Sequence, residues 1–153
     1  MKQYKGYLID LDGTIYRGNQ VIDGAREFVG WLRKRNLPYL FVTNNSSVTK
    51  ESVADKLCTM GVKAKPNQVI TSGCAAANYI KRRIKNPNVY MIGEEGLKEA
   101  LNESDIPITN KGNANVVLIG LARQITYKKL ATAALAVQNG AAFISTNRDA
   151  AIP

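Results

Sequence analysis

The sequence predicts an α/β protein built on parallel β-sheet, and three observations carry the prediction. Apolar runs of only a few residues, too short for helices, recur along the 153-residue chain. Each alternates with a longer segment whose apolar residues fall at helical spacing, the pattern that parallel strands with right-handed crossovers impose. Polar turns follow the first two runs, the first of them containing a glycine, at the strand ends where open α/β sheets bind ligands.

Taken in order, Tyr7-Leu8-Ile9 reads as a buried strand that delivers Asp10 and Asp12 to its carboxyl end, with a sharp turn at Gly13-Thr14 and then a loop. Ala25, Phe28, Val29 and Leu32, at i, i+3, i+4 and i+7, predict an amphipathic helix ending near Asn36, before Pro38. Tyr39 to Val42 is a second strand, followed by Thr43-Asn44-Asn45-Ser46-Ser47. Thr49 caps a helix carrying Val53, Leu57 and Met60, which Gly61 stops. Val69-Ile70-Thr71 is a third strand, and Ser72 is expected to cap a helix with Ala76, Ile80 and Ile84 on one face. Beyond Pro87 the alternation continues with a strand from Val89 to Ile92, a helix from Glu95 to Glu103 with Leu97 and Leu101 inward, and a strand from Val116 to Ile119. Thr126 opens an Ala-rich helix through Val137, closed by Asn139-Gly140, before a strand from Ala142 to Ser145. There is no low-complexity segment or sustained repeat; the echo of Thr43-Asn44 in Thr146-Asn147 reads as shared strand-end chemistry.

Composition narrows the chemistry. The absence of histidine excludes Ser-His-Asp and Cys-His catalysis and every imidazole metal site, so chemistry must rest on carboxylates, hydroxyls, lysines and backbone amides. Cys58 and Cys74 match neither a metal-binding spacing nor a disulfide framework and read as two reduced thiols. The formal charge of +9 favours anionic partners such as phosphate esters. Its densest cluster, Lys81, Arg82, Arg83 and Lys85, lies on a helix without interleaved aromatics and reads as a solvated face, so a nucleic-acid partner is not expected. No apolar run is long enough for a membrane span and the start lacks a secretory pattern, so a cytoplasmic protein without a membrane partner is expected.

Side chains two apart on a strand share a face, so Asp10 and Asp12 would repel unless a cation lay between them or one bent into the loop. A hard cation such as Mg²⁺ suits the pair, because it takes oxygen ligands and keeps waters that a phosphate can replace. An Asp can also accept a phosphoryl group as nucleophile. At the neighbouring strand end Thr43 offers a hydroxyl, and the run from Asn44 to Ser47 can turn its amides toward an anion. A lone Asp-x-Asp is most often a pair of loop caps; the attached Gly-Thr and the Thr-Asn-Asn ending the next strand argue for a phosphate monoester site.

These residues carry a resemblance. Asp10-Leu11-Asp12-Gly13-Thr14 is similar to the first motif of the haloacid dehalogenase superfamily phosphatases, and Thr43-Asn44-Asn45 to the second. Gly93-Glu94-Glu95-Gly96-Leu97, Thr126-Tyr127, Gln138-Asn139-Gly140 and Thr146-Asn147 resemble the NagD-like subfamily, so the likeness runs through essentially the whole chain. It implies a Rossmann-like parallel core, of which residues 1–72 are the N-terminal half, and most of an α/β cap domain in residues 73–153, the C-terminal half of the core being absent. It further implies Mg²⁺-dependent hydrolysis of a small phosphorylated metabolite, a phosphate monoester of sugar or nucleotide type, through an aspartyl-phosphate. Asp10 resembles the nucleophile and metal ligand. Asp12 resembles the acid/base and binds the metal through its carbonyl, while Thr43, Asn44 and Asn45 resemble the phosphate-binding group. Two positions depart from the pattern: Ala122 stands where relatives carry Asp, and Arg148 where they carry Pro. A truncated chain is expected to be impaired and to self-associate, as a homo-oligomer or by strand exchange, through the exposed edge of its first strand. The alternative is a non-catalytic remnant that binds an anion or a protein.

Overall fold

The computed structural model describes residues 4–149. They form two compact units. One runs to Thr43 and resumes at Lys50–Thr71; the other comprises Asn44–Thr49 and the chain from Ser72 onward. Both are α/β, as the alternation predicts.

In the first unit, β1 (Tyr7–Asp10), β4 (Tyr39–Thr43) and β5 (Val69–Thr71) form a parallel sheet in the order β1-β4-β5. α1 (Ala25–Lys34) and α2 (Lys50–Thr59) connect its strands. Ile9, Phe41 and Val69 from the strands pack with Val29, Leu32, Val53 and Leu57 from the helices, which is why apolar strand runs alternate with helical spacing here. Two details differ from the sequence reading. The expected loop after Thr14 contains a small hairpin, β2 (Tyr16–Arg17) with β3 (Gln20–Val21), turned at Gly18 with φ +58°. Phe28, expected inward on α1, lies at the rim of the apolar face, 41% exposed, with its ring stacked on Trp31 and edge-on to Tyr7. The helix ends near Asn36 as expected, with Arg35 as its C-cap and Asn36 taking φ +52°.

The second unit holds a four-stranded parallel sheet in the order β7-β6-β8-β9, from β6 (Val89–Ile92), β7 (Ile108–Thr109), β8 (Val116–Ile119) and β9 (Ala142–Ser145). Its helices are α3 (Ser72–Arg83), α4 (Glu95–Glu103) and α5 (Tyr127–Gln138). One apolar layer centres on Ile80, Leu97, Leu101 and Leu118, and a second on Ile92, Val117, Ala133 and Ala136. Thr126 caps α5 as expected, its hydroxyl accepting from the Lys129 amide at 3.2 Å. Ser72, expected as a cap, is instead the first residue of α3. Lys81, Arg82 and Arg83 are exposed at the end of α3, and Lys85, expected on the helix, is exposed in the bend just beyond it. Among the described residues, no helix is long and apolar enough to cross a membrane.

Candidate active site

Parallel pairing of β1 with β4 sets Asp10 opposite Val42, so Asp10 and Thr43 finish neighbouring strands at the same edge of the sheet. The chain then folds around one carbonyl. Leu11 is fully buried and its oxygen accepts from the amides of Thr14, Ile15 and Tyr16 at 3.2, 2.9 and 3.2 Å. The Gly13 amide returns a bond to the Tyr16 carbonyl at 2.8 Å, and Gly13 takes φ +83°, which a side chain would strain. Buried Leu11 and Ile15 thus peg the loop from below, while Asp10, Asp12 and Thr14 stay exposed. The Thr14 hydroxyl donates to the Asp10 carboxylate at 3.5 Å, a long bond that steadies the nearer oxygen. Thr43 is 4% exposed at the base of this edge, paired in register with Thr71.

Tyr16 sits beneath the two carboxylates, and nothing in its sequence context singles it out. Its ring is 5% exposed, and the Lys56 ammonium lies 3.9 Å from the ring centroid. Burial pushes its phenol up to about 12, and the charges of Asp12 and then Asp10 push the same way. Two exposed carboxylates at one edge of the sheet are an oxygen donor set that fits a hard divalent cation.

Asn44 and Asn45 begin the segment that belongs to the second unit, one peptide bond beyond Thr43. The Asn44 carbonyl accepts from the Ser72 hydroxyl at 2.6 Å, and the Asn45 side-chain oxygen accepts from the amide and hydroxyl of Ser47, both at 2.8 Å. This turn keeps Asn44 exposed while Ser46 and Ser47 are 2% and 4% exposed. Asp10, Asp12 and Thr43 thus meet in one unit, and Asn44 with Asn45 lies in the other. Of the two departures, Ala122 is half-buried beside the apolar layer under α5, and Arg148 is exposed. Next to Ala122, Arg123 grips Glu94 through its backbone amide at 2.9 Å and its guanidinium at 2.6 Å, fixing the loop after β8.

Residues 7–107 match the family model of the haloacid dehalogenase-like hydrolases. An acid sugar phosphatase of Staphylococcus aureus (strain USA300) is 52% identical over 153 residues. A thermostable NPPase of Geobacillus stearothermophilus, in a double-mutant crystal structure, superposes with a TM-score of 0.93 at 52% identity, covering all of this chain and 60% of that one. NagD of E. coli K-12 superposes with a TM-score of 0.90 at 31% identity, covering 97% of this chain and 58% of the other. The chain spans 59% of the length of the staphylococcal relative, which matches all of it.

Proposed function

The chain belongs to the haloacid dehalogenase-like hydrolase family, and we propose that it carries the nucleophile half of a phosphatase acting on small phosphate monoesters such as sugar or aryl phosphates. The observation that carries the reading is the pegged loop, which holds two exposed carboxylates beside a buried threonine at the carboxyl end of a parallel sheet. The name of the staphylococcal relative, an acid sugar phosphatase, supports the substrate class.

In the proposed reaction the Asp10 carboxylate attacks phosphorus and the ester oxygen leaves with a proton from Asp12. Water then attacks the phosphorus of the aspartyl-phosphate and gives its proton to Asp12, and the acyl P–O bond breaks to return Asp10 and inorganic phosphate. Thr43, Asn44 and Asn45 donate to the non-bridging oxygens, where charge gathers in the transition state. Asp10 and Asp12 are the residues that would hold a divalent cation, Mg²⁺ on this reading. When bound, such a cation offsets the repulsion between an anionic nucleophile and an anionic ester. Residues 1–72 then serve the chemistry, and residues 73–153 serve as a cap that selects the substrate.

The test is release of phosphate from p-nitrophenyl phosphate and from a panel of sugar phosphates, with and without Mg²⁺. Release should require the metal and vanish in Asp10→Asn. Equal rates in the unaltered chain and Asp10→Asn would discard the proposal.

A further inference from the structure

In the second sheet the chain goes from β6 outward to β7 and then crosses to β8 on the other side, so the crevice between the carboxyl ends of β6 and β8 is its topological switch point. Ligands of such sheets enter there. In this protein the chain's own segment Ser46–Val48 occupies that position. The Ser46 hydroxyl accepts from the Leu121 amide at 3.3 Å, just past the end of β8, and from the Thr146 hydroxyl at 3.1 Å, just past β9. The Ser47 carbonyl accepts from the Gly96 amide at 3.1 Å, in the first turn of the helix that follows β6. The fit leaves no room on the sheet side. A Cβ on Gly120 would come 2.6 Å from the Ser46 hydroxyl, and one on Gly96 would overlap the Val48 carbonyl.

We propose that Ser46 is a positioning residue: its buried hydroxyl, bonded to the ends of β8 and β9, fixes the turn that presents Asn44 and Asn45. The inference rests on the reading of those two residues as phosphate donors, and it gives the echo of Thr43-Asn44 in Thr146-Asn147 a physical role. Thr146 is the threonine that holds the turn, through Ser46. The Asn45 turn and the Ser72 bond to the Asn44 carbonyl complete the hold, so the segment behaves as a built-in ligand of the second sheet.

The experiment compares the whole chain with Ser46→Ala and, independently, Thr146→Val. Hydrogen exchange should quicken by about tenfold or more at amides 44–49 and at Leu121 in Ser46→Ala, and less in Thr146→Val, with β1 and β4 amides unchanged. With p-nitrophenyl phosphate, KM should rise roughly tenfold in Ser46→Ala, the size of one lost buried hydrogen bond, while kcat falls less than about twofold. Thr146→Val should show the same split at smaller size. Unchanged exchange at 44–49 in both variants overturns the proposal, as does quickened exchange with kcat lost and KM unmoved. Absence of turnover in the unaltered chain would refute the phosphatase reading itself, and the exchange data would still decide whether Ser46 holds the turn.

Discussion

Glycine-to-alanine exchange inside a helix ordinarily stabilises by about 1 kcal/mol, because alanine loses less conformational entropy. Gly96 should reverse that sign. It is buried in the first turn of α4, its amide bonds the Ser47 carbonyl, and an added Cβ would run into the Val48 backbone, which cannot rotate away as a side chain would. Forcing a methyl into a filled space costs about 1–3 kcal/mol and losing the buried bond a comparable amount, so Gly96→Ala should destabilise by about 1–5 kcal/mol after the helix gain is deducted. Gly30, in the interior of α1, has open space within 4 Å of where a methyl would stand and should instead gain about 1 kcal/mol on the same exchange. Urea unfolding followed by far-ultraviolet circular dichroism, read as midpoint and slope, measures both. A Gly96→Ala chain as stable as the unaltered one would refute the close packing of Ser46–Val48 against α4, and with it the account of how Asn44 and Asn45 are held.

Tyr16 should resist ionisation: in an absorbance titration of the native chain one tyrosine stays protonated past pH 11 and disappears from the count in Tyr16→Phe. Because its folded value of about 12 lies above the ordinary 10.0, the stability it contributes is intact below pH 10 and lost as pH rises through 12; a native titration complete by pH 11 would contradict its burial beneath the carboxylates. Leu8 is 75% exposed on β1, which edges its three-stranded sheet among the described residues, so the chain should self-associate with rising concentration. Sedimentation at micromolar concentration showing a compact monomer that binds no hydrophobic dye would contradict this.

Much of the fold is legible because the strands are short apolar runs between helices of clear periodicity. Val89–Ile92, Glu95–Glu103, Val116–Ile119 and Ala142–Ser145 have the same bounds in sequence and structure. The elements that escape a sequence reading are too short to carry a period. Tyr16–Arg17, Gln20–Val21 and Ile108–Thr109 are two-residue strands, and two residues show no alternation. Periodicity also gives the direction of a helix face and not the fate of a residue at its rim, so spacing alone turns Phe28 inward. At the candidate site, Asp10, Asp12 and Thr43 are readable because they lie at strand ends. Tyr16 and Ser46 are not, since their surroundings come from residues distant in sequence: Lys56 for the first, Leu121 and Thr146 for the second. Only Gly96, where an added Cβ would meet the Val48 backbone, hints that another stretch of chain passes close by.

Whether Asp10 takes the phosphoryl group is decided by chemical trapping. The chain is mixed with a phosphate monoester and Mg²⁺, quenched in acid within one turnover and reduced with borohydride, which converts an acyl phosphate to an alcohol. Peptide mass spectrometry should then find homoserine in place of Asp10, in amounts that depend on substrate and are absent from Asp10→Asn. Phosphate release at an undiminished rate with Asp10 unmodified and Asp12 or another residue reduced instead would contradict the account.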